Sequence, residues 1–158
     1  MAYFPLFIDL EEQTVTVIGG GKIAARRVKT LIDFGCSILV IAPEICEEMR
    51  ELIKNPSVFW IQEAYSGTFG TQKPVFVLAA ATELVNLQVV EACREQGIPV
   101  NDASKKERCD FYFPGIAKEG NLVVGVTAGG SDHKGAAALT AEIREWMKET
   151  KGQKTSPV

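Results

Sequence analysis

Residues 14–24 read TVTVIGGGKIA, a β-branched run that ends abruptly at three consecutive glycines. The run predicts a buried strand. Apolar residues at helical spacing from Ile23 to Phe34 predict a helix behind the glycines, and Gly35 is expected to end it. A strand, a glycine turn and a helix in this order are typical of a dinucleotide-binding unit.

The small residues of this turn have separate predicted tasks. Gly19 permits the tight turn, Gly21 lets the backbone approach a pyrophosphate, and Ala24 lets the helix pack closely on the strand. Free N–H groups at the start of the helix favour an anion there. We therefore predict dinucleotide binding; the alternative is a tight turn that binds nothing.

Strands and helices continue to alternate along the chain. Further strands are predicted at 37–41, 58–61, 75–80 and from residue 98, with helices at 44–54 and 84–95. Such repeats with short links give right-handed crossovers and a parallel sheet covered on both faces. We predict an α/β fold, a Rossmann-like doubly wound parallel sheet over residues 1–112 that binds NAD.

The pattern changes after residue 112. Strands at 111–116 and 122–127 predict a hairpin, and a helix follows over 136–148. This segment, 113–150, buries little apolar surface by itself, and its aromatic strand would leave an exposed, aggregation-prone strand edge. We therefore predict a dimerisation segment that pairs with a second copy. An antiparallel extension of the same sheet is the alternative. Residues 151–158 are predicted to form a flexible tail.

Composition excludes several classes of protein. Seventeen Lys and Arg against twenty Asp and Glu give a net charge of −3, which disfavours nucleic-acid binding. No apolar run is long enough to span a membrane, and the N-terminus lacks the features of a secretory signal. Four cysteines without a C-x-x-C pair, and one histidine, predict no metal site and reduced thiols in a cytoplasmic protein.

Polar residues after the later strands are candidates for the rest of the cofactor site, because ligands of open parallel sheets bind beyond the carboxyl ends of the strands. Glu44 stands near the position of the usual ribose-binding acid, and it either approaches the ribose or caps the next helix. The absence of an arginine there slightly favours NAD over NADP. Thr82 offers the cofactor a hydroxyl or caps the helix that follows it.

Asp102 is the best-placed ionisable group for proton handling, since it follows the fifth strand. Burial is expected to raise its pKa; a turn-forming role is the alternative. Downstream, Lys105, Lys106 and Arg108 either receive substrate carboxylates or form a solvated face.

A second glycine turn at 127–131 precedes the last helix. The backbone N–H groups of Gly129 and Gly130 are predicted to cradle an acidic group of the substrate. The sole histidine, His133, is predicted to lie in this loop without a catalytic role.

Seven short motifs, taken together, resemble those of one known protein family. They are YFPLFIDL (3–10), VIGGGKIAARRV (17–28), IAPE (41–44), AAATE (79–83), VN (100–101), CDFYFP (109–114) and VTAGG (126–130). Over residues 3–148 the sequence resembles the siroheme synthase N-terminal family, the precorrin-2 dehydrogenases, some of which are also sirohydrochlorin ferrochelatases.

The resemblance implies NAD-dependent oxidation of precorrin-2 to sirohydrochlorin, a step of siroheme (porphyrin-type) biosynthesis, by a homodimer. A hydride goes to the nicotinamide and a proton to a base or solvent. The precorrin-2 carboxylates give the cationic residues a ligand. The implied cofactor contacts are Gly19, Gly21, Lys22, Ile23, Pro43 and Glu44.

The sequence departs from the family pattern in three places. The family's proposed catalytic aspartate lies three residues after the asparagine of the Val-Asn motif, where Ser104 stands here, so the proton role falls to Ser104 or Asp102. Residues 131–134 look like an insertion in the second glycine loop. The helical region that members usually carry after the dimerisation segment is not in this sequence, which favours dehydrogenase over ferrochelatase activity. The alternative function is an NAD(H)-binding regulatory or scaffold module without catalysis.

Overall fold

The computed structural model describes residues 4–129 and 131–153. Its strands and helices are β1 (Thr14–Ile18), α1 (Lys22–Leu31), β2 (Ser37–Ile41), α2 (Glu47–Leu52), β3 (Val58–Ile61), β4 (Phe76–Ala79), α3 (Glu83–Glu95), β5 (Val100–Asp102), β6 (Gly115–Glu119), β7 (Leu122–Val126) and α4 (His133–Gln153). The chain divides into two compact units, Ile8–Phe111 and the described parts of 4–7 with 112–153. Among these helices, none has the length and apolar composition of a membrane-spanning segment.

The first unit is a five-stranded parallel sheet in the order β3-β2-β1-β4-β5. The chain moves outward from β1 to β3 and then returns to the other side of β1, so β1 and β4 flank the point where the direction reverses. Ligands of such sheets bind at this point, beyond the carboxyl ends of the strands. The predicted Rossmann-like doubly wound fold is confirmed.

The central strands are buried on both faces, as their continuous apolar sequence requires. All four residues of β4 are buried, and Val15 and Val17 of β1 have no exposed surface. Burial on this scale places the ends of β1 and β4 on a rigid support, so the loops that follow them start from defined positions.

Glycine ends α1 as predicted, after a short 3-10 turn at Ile32–Phe34; Gly35 takes φ +73°. The second helix begins later than predicted, at Glu47, with Cys46 as its N-cap. The reason is tertiary: the Cys46 N–H donates to the Gly20 carbonyl at 2.8 Å, which holds residues 42–46 as a loop against the glycine turn. The suggestion that Glu44 caps this helix is therefore wrong.

The second unit is a hairpin covered by a helix. Strands β6 and β7 pair antiparallel around a turn at Gly120, where φ is +57°, and α4 packs on both strands. The Arg144 Nε donates to the Ile116 carbonyl at 2.8 Å. The hairpin forms its own two-stranded sheet, so the alternative of an antiparallel extension of the main sheet is wrong.

Two predicted boundaries of this unit are wrong. The first hairpin strand begins at Gly115 rather than 111, and Phe111 instead packs its ring edge against Phe76, with centroids 5.0 Å apart, so the aromatic run is not a strand edge. Helix α4 begins at His133, because Asp132 Oδ1 accepts the Gly135 N–H at 2.8 Å and caps it. It extends through residue 153, into the predicted tail; residues 154–158 lie outside the described part.

Candidate functional site

The glycine turn lies in the crevice between the ends of β1, β2 and β4. Gly19 takes φ +117°, and a Cβ there would overlap the Ala80 carbonyl. A Cβ on Gly20 would overlap the Glu44 carbonyl. The Gly19 N–H also donates to the Ile41 carbonyl at 2.9 Å. Two of the three glycines are thus required by the contact of the turn with its neighbours.

Gly21 differs from the other two. Its φ of −80° suits any residue, and a Cβ there would meet no atom within 4 Å. It is the N-cap of α1, whose first turn has neither a capping side chain nor an acidic residue. The first intrahelical bond runs from Ala25 N–H to the Gly21 carbonyl, so the N–H groups of Lys22–Ala24 remain for an anion. These features fit a diphosphate.

The loop after β2 borders this turn. The indole Nε1 of Trp60 donates to the Ala42 carbonyl at 3.0 Å, which anchors the loop at its start. Pro43 and Glu44 are both exposed. The Glu44 backbone carbonyl lies against Gly20, so this exposed residue borders the glycine turn. A contact of Glu44 with the ribose stays a prediction.

Thr82 is the N-cap of α3. Its hydroxyl accepts the Val85 N–H at 3.4 Å, so the capping interpretation is confirmed. A further contact of Thr82 with the cofactor stays a prediction.

Asp102 is the centre of a buried polar cluster at the end of β5. Its side chain has no exposed surface, and Oδ1 accepts hydrogen bonds from Ser104 N–H (2.8 Å), Ser104 Oγ (2.6 Å) and Asn86 Nδ2 (3.1 Å). Oδ2 lies 2.7 Å from Arg108 Nε.

The charge state of Asp102 differs from the prediction. Burial alone raises the pKa of this carboxyl, but the hydrogen bonds from Ser104 and the charge of Arg108 outweigh it, and the net pKa lies below the usual value. The expectation of a raised pKa is wrong. Asp102 is therefore a charged carboxylate at neutral pH, with Oδ1 hydrogen-bonded and Oδ2 in an ion pair with Arg108.

Ser104 is the exposed member of the cluster. Its hydroxyl donates to Asp102 and accepts from Arg108 Nη2 and Asn86 Nδ2, both at 3.2 Å. In the sheet, Asp102 pairs with Ala79, and Ala79 pairs with Ile18. The Ser104 hydroxyl therefore lies at the carboxyl ends of the strands, the same edge of the sheet as the glycine turn.

The three cationic candidates have different surroundings. The Arg108 side chain is 17% exposed and turned inward toward Asp102, which leaves it little surface for a ligand. Lys105 Nζ lies 3.0 Å from Glu83 Oε1, yet its side chain is 53% exposed. Lys106 is exposed. Lys105 and Lys106 are therefore the cations that face solvent.

Sequence reasoning missed two members of the cluster. Cys109 Sγ accepts the Asp102 N–H and donates to the Asp102 carbonyl, both at 3.2 Å, and burial raises the pKa of its thiol. Asn86 is completely buried. A signal for Asn86 existed: it occupies the buried stripe of α3 with Val89, Val90 and Cys93, a polar residue at an apolar position.

The second glycine loop belongs to the second unit. Gly129 has φ +61°, and its N–H donates to Thr127 Oγ1 at 3.3 Å. Gly130 lies outside the described residues. Substrate binding by this loop stays a prediction. In the described part of the chain, no three His, Cys, Asp or Glu residues are grouped to hold a metal ion.

Comparison with known proteins agrees with this geometry. A family model described as "Putative NAD(P)-binding" matches residues 6–115. The protein named "Probable multifunctional siroheme biosynthesis protein HemA" of Ruminiclostridium josui is 38% identical over 144 residues, which are 90% of this chain and 28% of that protein. Siroheme synthase of Pseudomonas aeruginosa (strain LESB58) is 34% identical over 155 residues, 97% of this chain and 33% of that protein.

A solved structure titled "SirC, precorrin-2 dehydrogenase" has the same fold. It superposes with a TM-score of 0.66 at 24% identity, covering 94% of this chain and 71% of that one. The chain spans about a third or less of the curated relatives it matches. The predicted resemblance to the N-terminal part of siroheme synthases is confirmed, and so is a nicotinamide dinucleotide as the cofactor class. The chain belongs to the NAD(P)-binding family whose model covers its glycine turn and its five-stranded sheet.

Proposed function

We propose that this protein is an NAD-dependent dehydrogenase that oxidises precorrin-2 to sirohydrochlorin in siroheme biosynthesis. The observation that carries the proposal is the exposed Ser104 hydroxyl, hydrogen-bonded to the buried Asp102 carboxylate on the same sheet edge as the glycine turn. Oxidation of a C–H pair needs both a hydride acceptor and a proton acceptor, and this edge offers a place for each.

The glycine turn is the proposed place of the hydride acceptor. The N–H groups of Lys22 and Ile23, together with the open space at Gly21, would hold the diphosphate. When bound, the nicotinamide supplies two-electron hydride chemistry. The exposed carboxylate of Glu44 favours NAD over NADP, because it would bond a free ribose hydroxyl and repel a 2′-phosphate.

Ser104 and Asp102 are the proposed proton acceptor. Ser104 Oγ takes the substrate proton while its own proton passes to Asp102 Oδ1 along the 2.6 Å hydrogen bond. Because the pKa of Asp102 is low, the buried carboxyl then returns this proton to Ser104 Oγ, and the exposed hydroxyl passes a proton to water. The ion pair with Arg108 stabilises the carboxylate for the next cycle.

The substrate's carboxylates are proposed to pair with Lys105 and Lys106, the two solvent-facing residues of the three cationic candidates that follow β5. Gly129 and Gly130 of the second glycine loop are proposed as a further contact for a carboxylate, with the Gly129 N–H exchanging its hydrogen bond to Thr127 Oγ1 for one to the ligand. The four unpaired cysteines support a cytoplasmic location.

Incubation of the purified chain with precorrin-2 and NAD⁺ tests this function. NADH absorbance and the colour of sirohydrochlorin should rise together in equal amounts. NAD⁺ binding without turnover would favour the alternative, a regulatory or scaffold module.

Glu44→Gln is expected to weaken NAD⁺ binding by about tenfold, because one charge-assisted hydrogen bond to the ribose is lost. NADP⁺ binding should stay the same or improve, since a repulsive charge is removed. Titration calorimetry with both nucleotides measures the two affinities. Glu47→Gln, the same change at an exposed position three residues along, is the matched control. An equal loss for both nucleotides would contradict the role of Glu44.

We propose that the second unit pairs with a second copy of the chain. Apolar side chains remain exposed on the hairpin and on α4: Leu122 at 67%, Leu139 at 48% and Trp146 at 62%. Leu139 and Trp146 are seven residues apart and share one stripe of the helix.

Light scattering is expected to give twice the chain mass of 17.2 kDa. Trp146→Glu is expected to reduce the measured mass to that of one chain. Phe59→Glu, at a similarly exposed aromatic residue in the first unit, should leave the mass unchanged. A wild-type mass of one chain would contradict the proposal.

A further inference from the structure

The Asn86 side chain joins three separate segments of the first unit. It starts from the first turn of α3 and is completely buried. Its Oδ1 accepts the Ala81 N–H at 2.9 Å, just beyond β4. Its Nδ2 donates to Asp102 Oδ1 at 3.1 Å and to Ser104 Oγ at 3.2 Å, at the end of β5. One amide therefore ties the ends of two neighbouring strands together at the ligand-binding edge.

This position requires an amide. The Ala81 N–H needs an acceptor, whereas the Asp102 carboxylate needs a donor, and an asparagine side chain is short enough to offer both at once. An apolar residue would leave a buried donor and a buried charge less satisfied, which is costly. A polar residue on the buried stripe of a helix is therefore explained by what it holds rather than by packing.

We propose that Asn86 is the positioning residue of the proton-accepting pair: its amide holds Asp102 and Ser104 in the one arrangement that keeps the Ser104 hydroxyl aimed at substrate and bonded to the carboxylate. The inference rests on the proposed dehydrogenase function and extends it. Asn86 touches neither substrate nor cofactor. Its effect is therefore on the rate of turnover, and not on the binding of NAD⁺ or precorrin-2.

The groups around Asp102 determine the expected pH behaviour. Ser104 and Asn86 bond to Oδ1, Arg108 lies at Oδ2, Cys109 bonds the Asp102 backbone, and Arg27 of α1 adds a positive charge nearby. Replacing the Asn86 amide by a carboxyl puts two carboxyl groups at hydrogen-bond distance. Such a pair shares one proton, and the pKa for losing that proton is raised.

Asn86→Asp is therefore expected to make kcat depend on the pH in a way that wild type does not show. At low pH the introduced carboxyl is protonated and donates to Asp102 as the amide does, and kcat stays within about threefold of wild type. As the pH rises and the shared proton is lost, the two negative charges separate and Ser104 loses its partner. The variant should therefore show a loss of kcat of tenfold or more between about pH 5 and 7, a limb that wild type lacks.

The measurement is kcat and KM for precorrin-2 against pH, with NAD⁺ affinity measured in parallel. Asn55→Asp is the matched control: it makes the same change of charge at a turn where the side chain only accepts hydrogen bonds, from Ser57. It should reproduce the wild-type profile. Asn86→Ser, which adds no charge, should lower kcat at least tenfold at all pH values, with KM and NAD⁺ affinity within about twofold of wild type. This variant tests the role of Asn86 if Asn86→Asp does not fold.

Wild-type kcat in both Asn86 variants, with wild type itself active, would overturn the role of Asn86 alone. A loss of NAD⁺ affinity equal to the loss of kcat would also overturn it, since that indicates a merely structural residue. A wild-type chain that never reduces NAD⁺ with precorrin-2 would overturn the proposed function and this role together.

Discussion

Gly19→Ala is expected to lower the free energy of unfolding by about 3 kcal/mol and the Tm by about 6–12 °C. Two costs combine at this position. The backbone has φ +117°, which an alanine rarely adopts, and the new Cβ would overlap the Ala80 carbonyl. That carbonyl belongs to the rigid end of β4, so the turn must move instead, and the dinucleotide site is distorted with it. Urea denaturation and NAD⁺ titration measure the two effects.

Gly21→Ala is the matched control for this prediction. Its backbone suits alanine and its Cβ would meet no atom within 4 Å, so the stability should change by no more than about 0.5 kcal/mol. The methyl group would nevertheless occupy the space proposed for the diphosphate, and NAD⁺ affinity is expected to fall at least about tenfold. The pair separates a glycine that the fold needs from one that the ligand needs. Normal NAD⁺ binding by Gly21→Ala would contradict the proposed place of the diphosphate.

Asp102→Asn is expected to lower kcat by about a hundredfold or more and the free energy of unfolding by about 3 kcal/mol at neutral pH. The amide cannot accept a proton from Ser104. It also removes the negative charge opposite Arg108, whose side chain is only 17% exposed. One of its two polar atoms is a donor, so it disrupts either the cluster of donors at Oδ1 or the contact with Arg108.

The pH dependence of this loss has a defined sign. The folded-state pKa of Asp102 lies below its usual value of about 3.9, so the charged carboxylate stabilises the fold above that pH. This contribution is lost as the pH falls through the folded-state pKa. The difference in the free energy of unfolding between wild type and Asp102→Asn should therefore be largest at neutral pH. It should shrink toward zero as the pH falls below about 4.

Ser104→Ala provides the companion measurement. It keeps the Asp102–Arg108 ion pair but removes the three hydrogen bonds of a hydroxyl that is partly exposed to water, so the free energy of unfolding is expected to fall by about 1 kcal/mol. Turnover should nevertheless fall as far as in Asp102→Asn, because the hydroxyl is the group that faces the substrate. Wild-type rates in both variants would remove the pair from the reaction.

The order of the strands and helices in the first unit was readable from local patterns. The β-branched run before Gly19 and the glycines at positions 35 and 97 are signals that act within a few residues, and each element of the sheet was found at about its predicted place. The start of α2 was misplaced, because the residues before it are held by Gly20, which lies more than twenty positions away in the chain. A contact between residues so far apart in the chain cannot be predicted from composition or from the spacing of apolar residues.

The sequence by itself determined that a dinucleotide site follows β1, since a strand, a glycine turn and an uncapped helix start are consecutive in the chain. The tertiary structure alone decided what surrounds Asp102. Its partners Asn86 and Arg108 come from different segments of the chain. The hydrogen bonds from Ser104 and the charge of Arg108 reverse the effect of burial on its pKa. Local conformation depends on neighbouring residues, whereas the charge state of a buried group depends on every dipole and charge that folding brings within a few ångströms of it.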